Sequence, residues 1–206
     1  MAASKQDLVD QQLKEILSSH GVIAFPTETV YGFGCDPFDP IALEKINEIK
    51  FRNSGEGFLV LIDHPFQVYH YATHVPKYAE RFMAEYWPGA VTLIFQARDD
   101  LPFELCGPRQ TIGLRLSSHE GARHIAKILP HGIVSTSANR TGDFPLTSTE
   151  DVSKKFSNQI DYIVPGDCGT GIPSTVIECI DYEPKLVRKG PVEVVGVSIP
   201  KAELQV

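Results

Sequence analysis

At 206 residues, 42% of them hydrophobic and 22% charged, the chain has the make-up of a globular protein, and at this length a chain buries roughly 70% of its unfolded surface without help from metals or disulfides. A net charge of -7, with no Lys/Arg-rich run, argues against a protein that grips a long nucleic acid through its phosphates. No apolar run approaches the ~20 residues of a membrane-spanning helix, and the start Met1-Ala2-Ala3-Ser4-Lys5-Gln6-Asp7 lacks the apolar core of a secretory signal. The expectation is one cytoplasmic domain over 1–206, its core over about 8–195, with no membrane partner. Cys35, Cys106, Cys168 and Cys179 form no Cys-x-x-Cys pair and match no zinc spacing, so they read as reduced structural thiols.

The stretch 4–19 reads as an amphipathic helix, with Leu8, Leu13, Ile16 and Leu17 near one face, Ser4 capping the start and Gly21 closing the end. The apolar run 21–25 reads as a strand that stops at Pro26; the hydroxyls Thr27 and Thr29 and the glycines Gly32 and Gly34 follow. A second helix starts at Asp39-Pro40, where aspartate caps and proline takes the first helical position. Ile41, Ile46 and Ile49 give it an inward stripe, and it ends on Lys50 and Arg52.

The run 58–62 is a continuously apolar strand, and 76–86 is helical up to Trp87-Pro88-Gly89. Strands follow at 91–95 and 111–116, then a helix at 119–129 and a strand at 132–134. The stretch 149–156 is a short helix with a capping residue, Ser148 or Thr149, ahead of acids. The last strands are 161–164, 174–180 and 185–187. Helices alternate with strands early, then strand follows strand. That order predicts a single α/β domain built on a mixed sheet with flanking helices, not a purely parallel one.

Several residues carry chemistry in this frame. Lys50 and Arg52 sit where a helix gives way to the loop 53–57. Alone, such a pair is a solvated end that favours the helix dipole. Here the next strand returns the loop to the sheet and holds both charges at the sheet's end, which suits an anion: arginine offers a planar fork, lysine a point charge. Arg115 lies within a strand between Leu114 and Leu116, so it faces either solvent or a buried carboxylate, and Thr111 projects to the same side.

Ser135, Thr136, Ser137 and Asn139 close an apolar strand. They are either turn residues or short donors and acceptors at the strand end where α/β sheets bind ligands. The loop 166–171 has glycines without a Walker or dinucleotide pattern and reads as a flexible surface loop. Arg188 ends the last strand as a solvated end or a phosphate ligand. No His-Glu-x-x-His spacing or comparable set marks a metal site, and neither Gly-x-Ser-x-Gly nor a triad partner marks a serine nucleophile.

Seven short stretches in order resemble the YrdC family of threonylcarbamoyl-AMP synthases, in its short, single-domain form. They are Pro26-Thr27-Glu28-Thr29-Val30-Tyr31-Gly32, Lys50-Phe51-Arg52, Trp87-Pro88-Gly89-Ala90-Val91-Thr92, Thr111-Ile112-Gly113-Leu114-Arg115, Ser137-Ala138-Asn139 with Gly142, Ser174-Thr175-Val176-Ile177, and Val187-Arg188-Lys189-Gly190. The resemblance implies a twisted, mostly open α/β sheet with a concave, positively charged groove. It implies a nucleotidyltransferase that makes threonylcarbamoyl-AMP and pyrophosphate from L-threonine, bicarbonate and ATP, with magnesium carried on the ATP phosphates. The product would pass to a separate complex that modifies adenosine 37 of tRNA.

Carried over by position, the resemblance puts Thr29, Arg115, Ser135 and Ser174 around threonine. It puts Lys50, Arg52, Thr111, Ser137, Asn139 and Arg188 around ATP, with Lys50 and Arg52 as the catalytic cations. The chain departs from the family after the Lys-x-Arg pair, where it has Glu56, Gly57 and Phe58. Glu56 adds a negative charge that would weaken ATP binding, pair with Lys50 or Arg52, or help hold magnesium. The alternative function is a non-catalytic RNA-binding or ribosome-maturation module that uses the same groove, with weak contact to tRNA.

Overall fold

The computed structural model describes residues 4–52 and 57–198, so the expectation for Glu56 lies outside the described residues. The first helix, α1 (Lys5–Leu17), starts in a capping box in which Ser4 and Asp7 exchange side-chain and backbone bonds. Its buried residues are Leu13 and Leu17, with Val9 and Ile16 packed beside them, while Leu8 is 59% exposed and lies off the inward face. The left-handed residue after it is His20, with a φ of 60°, and not the expected Gly21, whose N–H still bonds back to the Ile16 carbonyl.

Helix α2 (Pro40–Lys50) begins as the sequence implies, with the Asp39 side chain accepting from the Ile41 and Ala42 N–H groups. Its inward face is Ala42, Leu43, Ile46 and Ile49; Ile41 is 54% exposed and does not belong to it. Ile41 precedes Ile46 by five positions, about 140° around the helix, which turns it away from the core. Helices α3 (Val68–Tyr71), α4 (Lys77–Tyr86), α5 (Phe103–Cys106), α6 (Glu120–Ala126) and α7 (Thr149–Phe156) complete the helical set among the described residues, with one turn of 3-10 helix at Pro65–Gln67.

The strands divide into two hydrogen-bonded sheets. The smaller sheet has the order β7-β2-β1-β8, with β1 (Ile23–Phe25), β2 (Gly32–Gly34), β7 (Thr136–Ser137) and β8 (Tyr162–Ile163). The larger has the order β10-β9-β4-β5-β3-β6, with β3 (Leu59–Leu61), β4 (Val91–Gln96), β5 (Thr111–Arg115), β6 (Ile133–Val134), β9 (Thr175–Glu178) and β10 (Lys185–Arg188). Both are mixed: β1 runs antiparallel to β2 and parallel to β8, and β5 runs parallel to β3 and antiparallel to β4.

The sheets meet along the segment 133–137. Its first half pairs with β3 in the larger sheet and its second half with β2 in the smaller one. Val134 N–H reaches Cys35 O and Ser135 N–H reaches Leu59 O, one bond to each side of the junction.

Most of the core is one cluster that takes side chains from both sheets, among them Ala24 and Phe33 from the smaller and Val60, Leu93 and Leu114 from the larger. Ile46 of α2, Phe82 of α4 and Phe156 of α7 close over it, Phe156 meeting Phe33 edge-on at 4.9 Å between ring centres. A second cluster fastens α1 and α6 to the sheets through Leu13, Leu17, Phe25, Ile125 and Ile133. All four cysteines are free thiols, three of them buried. No helix among the described residues is long and apolar enough to cross a membrane.

Candidate functional site

Where the sheets meet, a cavity of about 650 Å³ opens, and all ten residues singled out for threonine or ATP line it. Three segments build its walls: the β1–β2 connection, the C-terminal end of α2, and the crossing segment 133–142. The remaining walls come mainly from residues 57–59, from β4 and β5, from the start of β9 and from the end of β10.

At the β1 end, Thr27 and Thr29 form a short hydroxyl relay. Thr27 Oγ1 donates to the Val30 carbonyl at 2.8 Å, accepts from the Thr29 N–H, and lies 2.8 Å from Thr29 Oγ1. Its single proton is committed to Val30, so Thr29 is the donor between the two hydroxyls. The lone pairs of Thr29 Oγ1 are left for a ligand's donor. Gly32 faces Ser135 closely: a Cβ there would stand 2.8 Å from Ser135 Oγ, so glycine at 32 lets the buried serine sit against β2.

Helix α2 ends at Phe51, which turns left-handed with a φ of 50°, and the Phe51 and Arg52 N–H groups bond back to Glu48 and Asn47. That cap brings Lys50 and Arg52 to the cavity. Lys50 is only 5% exposed. Its ammonium donates to the Ser137 carbonyl, the Asn139 carbonyl at 3.0 Å and Asn139 Oδ1 at 3.4 Å, and its own carbonyl accepts from Thr141 N–H at 2.8 Å. Lys50 therefore ties the helix end to the segment that carries Ser137 and Asn139. Arg52 donates through Nη2 to the Gly57 carbonyl at 2.7 Å and lies over the Phe58 ring at 4.7 Å.

Arg115, at the end of β5, is 3% exposed, which overturns the solvent reading and leaves the buried carboxylate. The carboxylate is Glu28: its Oε1 lies 3.6 Å from Arg115 Nε, and its Oε2 accepts from Ser117 Oγ. Burial lowers the proton affinity of the Arg115 guanidinium, and the Glu28 charge opposes that shift.

Ser174 precedes β9 and shares a hydroxyl contact of 2.8 Å with Thr92 Oγ1. Arg188 donates through Nε to the Ser174 carbonyl at 3.1 Å and through Nη2 to its hydroxyl at 3.3 Å. The residue is exposed overall, but its guanidinium is tucked against Ser174; partial burial and then the like charge of Arg115 lower its proton affinity. Arg188, expected with ATP, thus touches Ser174, expected with threonine, and stands where the two groups adjoin.

Five residues near the site escaped the sequence reading of roles: Glu28 behind Arg115, and the lining residues Thr27, Thr92, Arg109 and Thr141. Thr92 had a signal. It and Ile94 line the cavity while Leu93 and Phe95 are core, so a lone threonine in an apolar strand marks the face turned to a ligand. Arg109, paired with Glu178 at the rim, had none.

The glycine loop 166–171 is no free surface loop. It docks on the β1–β2 connection through Gly169 N–H to Thr27 O, Thr170 N–H to Glu28 O, and Gly171 N–H to Thr29 O, at 2.8–3.1 Å. A Cβ at Gly169 would fall 2.0 Å from the Glu28 carbonyl oxygen, so the contact needs glycine.

Known proteins resemble this chain in sequence and in fold. The chain is 38% identical to a threonylcarbamoyl-AMP synthase of Nitrosococcus oceani over 154 residues, 75% of this chain and 83% of that relative. Its structure superposes on E. coli YciO with a TM-score of 0.84 at 30% identity, covering 95% of each chain. It superposes on P. abyssi Sua5 complexed with L-threonine with a TM-score of 0.86 at 28% identity; there it is covered over 92% of its length and spans 59% of that longer protein. Residues 15–190, which carry all ten lining residues named above, match the Sua5/YciO/YrdC family, described as telomere recombination, and the chain belongs to that family.

Proposed function

We propose that the chain is a threonylcarbamoyl-AMP synthase, a nucleotidyltransferase that joins L-threonine, bicarbonate and ATP and releases pyrophosphate. The observation that carries this reading is one cavity lined by Arg115 among hydroxyls and by Lys50, Arg52 and Arg188. The threonine amine takes up carbon dioxide as a carbamate, whose oxygen attacks the α-phosphate as pyrophosphate leaves. Two anions must be held against each other, which calls for fixed cations and orientation.

Arg115 takes the amino-acid carboxylate, and Thr29 Oγ1 accepts from the amine. Ser135 and Ser174 hold the rest of threonine. Arg188 stands between the carbamate and the phosphate it attacks. Arg52 binds the phosphates with Thr111, Ser137 and Asn139, and Lys50 sets Ser137 and Asn139 in place while adding its charge. No histidine, aspartate or glutamate is among the described residues that line the cavity, in keeping with catalysis by charge and position.

Among the described residues no group of three His, Cys, Asp or Glu could hold a metal ion, so the donors present do not fit a resident one. In this reading magnesium arrives on the ATP phosphates, and no step is routed through a protein-bound ion. The product goes on to a complex that modifies tRNA adenosine 37, a role that fits a cytoplasmic protein.

The test is pyrophosphate release with ATP, bicarbonate and L-threonine together. Release that requires threonine is the expected result; release independent of threonine, or none, removes the proposal.

A further inference from the structure

Arg115 and Glu28 form a buried pair whose second member the scheme above does not use. Their side chains are 4% and 14% exposed, and Arg115 Nε and Glu28 Oε1 are both buried without a hydrogen-bond partner. Arg115 lines the cavity and Glu28 does not. The carboxylate therefore stands behind the guanidinium, held by Ser117 on its other oxygen. A second guanidinium, that of Arg188, is close enough for the Arg115 charge to act on it.

We propose that Glu28 is a specificity-determining residue. From behind, it offsets the charge of Arg115, so this part of the cavity accepts a zwitterionic amino acid and turns away a simple anion, the phosphates of ATP included. The inference rests on the functional reading above. A buried guanidinium with no counter-charge draws any anion that relieves it. With Glu28 in place, an anion that reaches Arg115 also meets repulsion from the carboxylate. A zwitterion brings its own ammonium, for which the same field is favourable. Selection of this kind works by a repulsive element set against the wrong ligand.

Titration calorimetry with L-threonine and with 3-hydroxybutyrate, which has the same skeleton without the amine, tests this. The wild-type protein is expected to prefer threonine by about tenfold or more, and Glu28→Gln to narrow that preference about tenfold through a gain in 3-hydroxybutyrate affinity. Ser117→Ala keeps the carboxylate's charge and should keep the wild-type preference. A merely structural defect weakens both ligands together and produces no gain. An unchanged ratio in Glu28→Gln, or an equal shift in Ser117→Ala, overturns the proposal. Should Glu28→Gln fail to fold, equal affinities for the two ligands in the wild-type protein overturn it as well. If the wild type binds no L-threonine at all, the functional reading falls and this one with it; threonine binding with an unchanged ratio removes this one alone.

Discussion

Arg52 tests the role of charge in the cavity, which it lines beside Lys50 while its side chain donates to the Gly57 carbonyl and lies over the Phe58 ring. Arg52→Ala should lower threonine-dependent pyrophosphate release by about 10²–10³-fold, the usual effect of removing one donor from a developing charge. Its circular dichroism and melting temperature should match wild type; turnover within twofold of wild type would remove the assigned role. Arg52→Lys, which loses the planar fork but keeps the charge, should fall between the two.

Lys50, Arg52, Arg115 and Arg188 were legible in the sequence because a cation at a strand or helix end is conspicuous in an apolar stretch. Glu28 was not, since its meaning depends on a partner 87 positions away, and no local pattern announces that pairing. Lys50 was legible as a charge but not as a tie to the Ser137 and Asn139 carbonyls.

The buried thiols add a pH effect at the same scale. Burial pushes Cys106 up to about 11, and burial, then the charge of Glu178, pushes Cys179 up to about 12. Unfolded thiols lose their protons above their ordinary value while the folded protein keeps them, so this contribution to stability is intact below that value and is lost as pH rises towards 11–12. The slope per thiol is at most about 1.4 kcal/mol per pH unit. Urea denaturation at pH 8 and pH 10 should show a smaller fall for Cys106→Ala than for wild type; identical falls would mean that Cys106 is not held neutral by the fold.

At the scale of elements, helix starts were the most legible feature. Ser4 and Asp39 cap α1 and α2 as local chemistry requires, and Ser148 caps α7. The strands β2 and β7 were not read as strands, because three and two residues leave no alternation to detect. The division into two sheets was equally hidden, since an apolar strand does not name its hydrogen-bonding partner. Segment 133–137 changes sheets within a few residues, which no periodicity marks.

The glycine loop was misread for a related reason: its glycines serve close approach to residues 27–29, distant in sequence, and not freedom of movement. Gly169→Ala tests that account. The added methyl forces the loop off the Glu28 carbonyl and breaks up to three backbone bonds, at a cost of about 2–4 kcal/mol in chemical denaturation. Because the loop backs Glu28 and Thr29, the KM for threonine should rise while the KM for ATP holds. Stability within about 0.5 kcal/mol of wild type, the usual scatter of surface substitutions, would mean that the loop is not docked.

For the whole molecule, the question is how a protein with net charge -7 holds a triphosphate. The cations are gathered at the junction of two sheets, where a cavity lined by Lys50, Arg52, Arg109, Arg115 and Arg188 and by no described carboxylate sets its own local potential. The acidic remainder of the surface discourages long nucleic acid without reaching into the cavity, because exposed charges beyond about 10 Å are screened at ordinary salt. The cavity's walls belong to both sheets, so a ligand that fills it bonds the two together across segment 133–137.

Ligand binding should therefore appear as global stabilisation. ATP at a hundred times its dissociation constant is worth about 2.7 kcal/mol, which for a chain of this size corresponds to a rise in melting temperature of roughly 5–10 °C. L-threonine should give its own rise. Arg52→Ala should abolish most of the ATP shift and leave the threonine shift in place, because the proposed function assigns Arg52 to the phosphates. Arg115→Ala should do the reverse. Loss of both shifts together in either variant would mean that the cavity does not divide into an amino-acid part and a nucleotide part. Thermal unfolding of wild type and the two variants, each with one ligand at a time, decides between a divided cavity and a single undifferentiated anion site.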